Sequence, residues 1–328
     1  MAECVIVGAG PCGLAAGLAT QGAGFSTLVL DQGCLTNSVY HFPTNLVFFS
    51  SADLLEIGGI PFPCAQEKPD RRAALAYYRR VTEHFALGVR QNTKVTGLRR
   101  LDGGRGFSLE TSGPSGEVGE LQARHVVLAT GYYDNPNRLS IPAEDGPKLS
   151  HYYTEAHPYW QRDVLVVGGG NSAVEAALDL YRHGARVTLV HREAALSPKL
   201  KPWVEPDIRN RLRDQAIKSF FQSELRTIGP DSVTLSTPGG PVDLPNSFVF
   251  ALTGYHPDPS LLRGLGAAFD PESGAPVHDP QTMETTVPGL FIAGTLAAGN
   301  DQNQIFIENG RLHGNLIATA LLERRLER

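Results

Sequence analysis

Two glycine-rich turns hold most of the chemistry this chain can do. GAGPCG occupies residues 8–13, directly after the apolar run Cys4–Val7, and GGGNSA occupies residues 168–173, directly after Val164–Val167. Gly8 and Gly168 permit the tight turn, Gly10 and Gly170 let the backbone approach a pyrophosphate, and Gly13 and Ala173 allow close helix–strand packing. The helix that follows presents free N–H groups and a positive dipole end to an anion. Pro11 in the first turn, and Asn171 and Ser172 in the second, complete the candidate set. A single such turn is weak evidence, since a glycine turn can exist without a ligand. Two of them, each between a strand and a helix, predict two bound dinucleotides.

Charge distinguishes the two nucleotides. Asp31 stands 23 positions after Gly8, at the end of the β-type run Phe25–Leu30, and Gln32 follows it. A carboxylate there suits ribose hydroxyls and repels a 2′-phosphate. The same offset from Gly168 falls on His191, followed by Arg192, and a guanidinium suits a 2′-phosphate. The first site therefore predicts FAD or NAD and the second NADP. Glu193 weakens that positive field, while Lys199 and Lys201 could reinforce it.

The cysteines are Cys4, Cys12, Cys34 and Cys64, with no CxxC among them. Their spacing argues against a metal site. Cys12 lies inside the first turn and is the candidate nucleophile. A helix N-terminus favours its thiolate, and a nearby pyrophosphate opposes it. The bland alternative is a small residue tolerated in a crowded turn. His151 reads either as a proton donor to a leaving thiolate or as a surface histidine.

These residues need a scaffold, and the order strand, glycine turn, helix, strand appears twice. That order predicts an α/β fold of two Rossmann-like, three-layer dinucleotide-binding domains. HVVLATG at 125–131 and FVFALTG at 248–254 are apolar strands that end in Thr-Gly and lead into Pro-containing loops. They place Thr130, Gly131 and Gly254 at domain crossings. Alternation from Val95 to Val118 predicts an antiparallel ribbon, with Val95 beside the first nucleotide. A last strand, Gly289–Ala293, leads to Gly294 and Thr295, and a helix is expected from Gln304 and Ile305 to the C-terminus. That helix either aims its positive end at the ligand of the first site or simply closes the domain. The expected division is 1–140, 141–255 and 256–328, with the NADP domain inserted into a discontinuous FAD or NAD domain.

The chain has 328 residues, with 29 Lys plus Arg against 34 Asp plus Glu, a net charge of -5. That balance argues against nucleic acid as a partner. No apolar run reaches the length of a membrane span, and the first residues do not read as a signal peptide. The expected compartment is the cytoplasm, where a structural disulfide is disfavoured.

GAGPCG, ATG, GGGNSA, VHR and GLFIAG occur in the order found in flavoproteins of the low-molecular-weight thioredoxin reductase type, which the chain resembles over nearly its whole length. The resemblance implies FAD, NADPH and electron flow from flavin to a disulfide. Two departures bear on the substrate. The tetrad where those enzymes carry CxxC is His151 to Thr154, and the two-cysteine pattern of glutathione reductases finds Cys34 but then Val39. Thioredoxin is therefore not the expected substrate. NSVYHFPTNLVFFSS, ATGYYDNPN, SPKLKPW, ALTGYHPD and AAGNDQNQIFIENGRLHG are similar to the bacillithiol disulfide reductases, which carry a single cysteine in the first glycine turn. The likeness implies NADPH-dependent reduction of a small-molecule disulfide, bacillithiol disulfide, by a homodimer or higher homo-oligomer. In that frame Tyr40, His41, Phe42, Phe48 and Phe49 cover the flavin or line a substrate cleft, with His41 among the cofactor residues. Phe48 and Phe49 could equally be core. Arg71, Arg72 and Lys201 are the cations available to an acidic ligand. Three other readings stay open: a flavin monooxygenase, a ferredoxin or flavodoxin reductase without thiol chemistry, and a nucleotide-sensing regulator.

Overall fold

The computed structural model describes residues 2–101, 103–301 and 304–326. The chain forms two compact units: Met1–Tyr40, Leu46–Asn135 and His256–Arg328 make the first, and His41–Asn45 with Pro136–Tyr255 make the second. The crossings fall at Asn135/Pro136 and Tyr255/His256, and His41–Asn45 join the second unit, where the Thr44 N–H donates to the Thr154 carbonyl at 2.8 Å.

The first unit is built on one sheet. Its strands are β1 (Ala2–Val7), β2 (Thr27–Leu30), β3 (Val89–Arg90), β4 (Lys94–Arg100), β5 (Phe107–Ser112), β6 (Val118–Leu128) and β15 (Leu290–Ile292). The path runs β3-β2-β1-β6-β5-β4, with β15 on β6. Strands β3, β2, β1, β6 and β15 are mutually parallel. Cys4, Val5 and Ile6 are fully buried, as a central parallel strand covered on both faces requires. The expected ribbon over 95–118 and the expected strand at 125–128 prove to be continuous. β6 pairs antiparallel with β5 along Val118–Ala123, then parallel with β1 along Ala123–Leu128.

Helix α1 (Pro11–Gly22) starts at Pro11, whose fixed φ suits a first helical position. Short α2 (Asn37–Tyr40) precedes α3 (Arg71–His84), which the Asp70 side chain caps by accepting the Ala73 N–H. α6 (Ser260–Gly264), α7 (Ile307–Gly310) and α8 (His313–Leu326) come from the return segment. α8 lies close against α1, since a Cβ on Gly314 would come within 2.7 Å of the Ala16 Cα.

The second unit has a five-stranded parallel sheet in the order β10-β9-β8-β14-β7. These are β7 (Leu149–Ser150), β8 (Asp163–Val167), β9 (Arg186–His191), β10 (Lys218–Phe221) and β14 (Phe248–Ala251). Helices α4 (Asn171–Arg182) and α5 (Glu205–Arg213) follow β8 and β9 in the chain, and Val174, Ala177, Leu180 and Ile208 join Val164 and Val166 in one core. Strands β11 (Glu224–Ile228), β12 (Ser232–Thr237) and β13 (Gly240–Pro245) form an antiparallel meander absent from the sequence expectations. Leu225, Val233 and Leu235 of the meander pack with Leu165, Val167 and Val249. Lys148 fastens it by donating to the carbonyls of Gly229, Pro230 and Ser232 at 2.8, 3.1 and 3.2 Å.

Candidate nucleotide-binding sites

In the first unit the carboxyl ends of four parallel strands lie side by side. Leu30 pairs with Val7, Val7 with Leu128, and Leu128 with Ile292. The residues that follow them are Asp31, the glycine turn, Thr130 with Gly131, and Gly294 with Thr295. This edge is where open α/β sheets take ligands.

The glycines of the turn separate by what surrounds them. Gly8 has φ +111°, and a Cβ there would overlap the Ala129 carbonyl; one on Gly13 would overlap the Gly8 carbonyl. Both are required by the protein itself. Gly10 is different: its φ of -70° and ψ of 173° suit any residue, and no atom of the described residues, its chain neighbours and its own helix apart, lies within 4 Å of where its Cβ would stand. The open space over the Gly10 backbone, at the start of α1, fits a nucleotide pyrophosphate. Nearby, the Thr130 hydroxyl oxygen is buried and has no hydrogen-bond partner among the described residues. A polar cofactor group would supply the partner that burial demands.

Asp31 is buried and accepts N–H groups from Ala9 at 2.7 Å and Gly33 at 2.8 Å. Burial holds its pKa above the ordinary carboxylate value, against those two hydrogen bonds. The carboxylate thus locks the glycine turn onto β2, and its remaining lone pairs are what a ribose could use. Gln32 donates to Asp134 at 2.9 Å. Val95 is buried in β4, two residues beyond Thr93, whose N–H donates to the Asp31 carbonyl at 2.7 Å.

Cys12 is not poised as a thiolate. Cβ atoms on Gly310 and Gly294 would lie 2.8 and 3.2 Å from its Sγ, so the thiol fills the space that these two glycines leave. Burial pushes its pKa up to about 12, and Glu308 adds to the rise. Desolvation therefore outweighs the helix N-terminus, and the surroundings of Cys12 favour the neutral thiol. Cys4, fully buried in β1, is likewise pushed up to about 12 by burial.

The single helix expected from Gln304 is also corrected. The exposed Gln304 donates to Asp301 at 2.9 Å, Ile305 packs beside Gly310, and the four-residue α7 begins only at Ile307. Asn309 sets that start by accepting the Phe306 N–H at 2.8 Å and donating to the Gln304 carbonyl at 2.8 Å. So short a helix has little dipole to aim at a flavin. The longer α8 instead presents His313, whose Nδ1 accepts the Gly294 N–H at 3.2 Å. Burial lowers the His313 pKa to about 4, helped by His278, so the ring is neutral and its Nδ1 lone pair is available. Nothing in the residue types marked His313 as a partner of Gly294.

The second unit repeats the first turn's logic. Gly168 has φ +141° and abuts the Leu252 carbonyl, and Ala173 is fully buried against it. Gly170, at φ -92° and ψ -175°, has no atom of the described residues, its chain neighbours and its own helix apart, within 4 Å of a Cβ. Here too the fold does not require the glycine, and the open space would suit a ligand. Gly169 carries the His191 ring: a Cβ there would fall within 2.6 Å of Nε2, Cδ2 and Cε1. The Asn171 side chain is committed to the loop above it, donating to the Lys199 carbonyl at 3.1 Å and accepting the Lys201 N–H at 2.8 Å. Ser172, on the first turn of α4, is exposed. Arg192 lies at the surface in an ion pair with Glu193 at 3.3 Å. Gly254, at φ +90°, accepts the Asn137 N–H at 2.9 Å and serves the fold.

Other expectations resolve as follows. His151 is neither exposed nor poised to donate outward. Its side chain is 10% exposed, its Nε2 lies 3.1 Å from Glu144, and its Nδ1 lies 3.2 Å from the Ala251 carbonyl. Glu144 is itself buried and accepts the N–H groups of Leu139 and Ser140 at 2.7 and 2.8 Å. His41 clusters with the second unit. Phe49 is 58% exposed, which excludes a core role. Arg71 is committed to the carbonyls of Val39 and Tyr40, and Lys201 to Glu175 at 2.6 Å. Arg72 remains exposed. Among the described residues no group of side chains could hold a metal ion, and no helix is long and apolar enough to cross a membrane.

Two units, each with parallel strands that lead into a glycine turn, have the architecture of the flavin- and nicotinamide-nucleotide-dependent oxidoreductases. Residues 5–294 match the pyridine nucleotide-disulphide oxidoreductase family, and the chain belongs to it. The bacilliredoxin reductase Bdr of Bacillus subtilis is 42% identical over 98% of both chains. The crystallised bacillithiol disulfide reductase Bdr (YpdA) of Bacillus cereus superposes with a TM-score of 0.95 at 43% identity, covering 98% of this chain and 99% of that one. The thioredoxin reductase of Lactococcus lactis shares the fold at 22% identity and a TM-score of 0.78, covering 100% of both. Ferredoxin–NADP reductases and flavin monooxygenases are more distant relatives.

Proposed function

We propose that the chain is an NADPH-dependent FAD enzyme that reduces a low-molecular-weight thiol disulfide, with bacillithiol disulfide as substrate. The observation that carries the two-nucleotide part is the pair Gly10 and Gly170, each in an ordinary conformation with vacant space over its backbone. The substrate part rests on likeness to the Bacillus cereus enzyme. FAD would lie along the first unit's strand ends, with Gly10, Asp31, Thr130, Gly131, Gly294 and Thr295 as its contacts. NADPH would lie at Gly170, Ser172 and His191.

The reaction balances as NADPH, a proton and one disulfide giving NADP+ and two thiols. When bound, the flavin would supply two-electron redox chemistry between the nicotinamide and the disulfide. This chain's residues bind and orient. The α1 N-terminus offers N–H groups to the pyrophosphate, and Thr130 offers a buried hydroxyl. Cys12 acts by packing, holding Gly294 and Gly310 against the start of α1 without being oxidised in turnover. A cytoplasmic homodimer or higher homo-oligomer belongs to the same proposal, and light scattering after gel filtration tests the assembly.

Likeness to the bacilliredoxin reductase of Bacillus subtilis supports a second reading, in which oxidised bacilliredoxin, a protein, is the acceptor. Anaerobic protein loaded with FAD separates the two. NADPH should bleach the flavin, and bacillithiol disulfide alone should restore its absorbance. Restoration by oxidised bacilliredoxin alone would replace the first reading with the second. A flavin that neither disulfide reoxidises would refute both.

A further inference from the structure

We propose that Lys199, rather than Arg192, is the residue that discriminates the 2′-phosphate of the nicotinamide dinucleotide. This rests on the reading of the second unit as an NADPH site. The cations of the loop from His191 to Lys201 are Arg192, Lys199 and Lys201. Two are already neutralised: Arg192 pairs with Glu193 at 3.3 Å, and Lys201 pairs with Glu175 at 2.6 Å. Lys199 has no carboxylate partner among the described residues and is exposed.

Its backbone is nevertheless fixed. Asn171, the first residue of α4, donates to the Lys199 carbonyl at 3.1 Å, and the Lys199 N–H donates to the Ser197 hydroxyl at 3.2 Å. The Ser197 N–H in turn donates to the Gly169 carbonyl at 3.0 Å. The loop is thus folded onto the glycine turn, which fixes the Lys199 backbone beside the start of α4. The helix N-terminus can serve the pyrophosphate with backbone N–H groups, whereas a 2′-phosphate has no such donors and needs a side-chain cation. A phosphate approaching Arg192 must also approach Glu193. One approaching Lys199 meets no such anion, and an ammonium is a competent point-charge partner for phosphate. His191, its pKa lowered chiefly by burial, contributes a neutral ring against Gly169 and no charge.

Calorimetric titration of the flavin-loaded protein with 2′,5′-ADP and with 5′-AMP tests the assignment without turnover. The wild type should bind 2′,5′-ADP the more tightly. K199Q should lose about tenfold or more of that preference, as removal of one charge-assisted phosphate contact predicts, and leave 5′-AMP binding unchanged. R192Q should change the preference by less than about threefold. A large loss in R192Q with none in K199Q overturns the assignment. So does an equal loss of both ligands in K199Q. A wild type with no preference for 2′,5′-ADP refutes the NADPH reading itself, which separates the two failures. Circular dichroism on both variants confirms that they are folded.

Discussion

His313 makes the stability of the first unit depend on pH in a defined direction. Its pKa is lowered from 6.5 to about 4 chiefly by burial, and its Nδ1 accepts the Gly294 N–H. The folded value lies below the unfolded one, so as pH falls the unfolded chain takes up the proton first. The full stability is present above about pH 6.5 and is progressively lost down through about pH 4. The shift sets an upper bound of ~3 kcal/mol. Because His313 is half-buried, solvent screening reduces that to roughly 1–2 kcal/mol. His313→Gln keeps an oxygen that can accept the Gly294 N–H but removes the titration. Urea unfolding of both proteins at about pH 7.5 and about pH 5 should show the wild-type advantage shrinking by ~1 kcal/mol or more as pH falls. A difference that is independent of pH, or that grows in acid, would refute the reasoning.

Gly10→Ala should leave the stability of the flavin-free protein within ~1 kcal/mol of wild type, since its Cβ meets nothing, yet cut the FAD content of the purified protein severely. Gly8→Ala should cost ~2 kcal/mol or more, because φ +111° and the Ala129 carbonyl both oppose a side chain; equal thermal stability of the two variants would contradict this division. Iodoacetamide at neutral pH should label Cys64 ahead of Cys12, whose thiol burial holds near 12, and mass spectrometry showing Cys12 alkylated first would restore it as a nucleophile. Glu144→Gln should destabilise the second unit by ~2 kcal/mol, as it weakens acceptance from Leu139 and Ser140 and unpairs His151, and an unchanged melting temperature would count against that role.

What could be read from the sequence was local. Each glycine turn lies within a few tens of residues of its apolar strand and of the position that follows the next strand, Asp31 or His191, and obeys period and spacing. The ion pair that compromises Arg192 was also visible, because Glu193 is its neighbour. What was hidden depends on distant chain segments. The state of Cys12 is decided by Gly294 and Gly310, nearly 300 residues away. The interior setting of His151 depends on Ala251 across the sheet. The β11–β13 meander leaves only a weak signal, because its strands are short and its alternation rests on Leu225, Val233 and Leu235 alone. The break between α7 and α8 follows from Asn309 and from close packing at Gly310, neither of which helix propensity reports.

The position of β15 has a consequence for synthesis on the ribosome. Leu290–Ile292 is the strand that covers the flank of β6 at Val126–Leu128. Until those late residues emerge, β6 has a bare row of amide and carbonyl groups open to mispairing. The second unit needs nothing beyond Tyr255 and can condense while that row is still exposed. Gly294, at the edge formed by the first unit's strand ends, therefore emerges late, and a nascent chain stalled near residue 280 should carry a finished second unit together with an adhesive, incomplete first one.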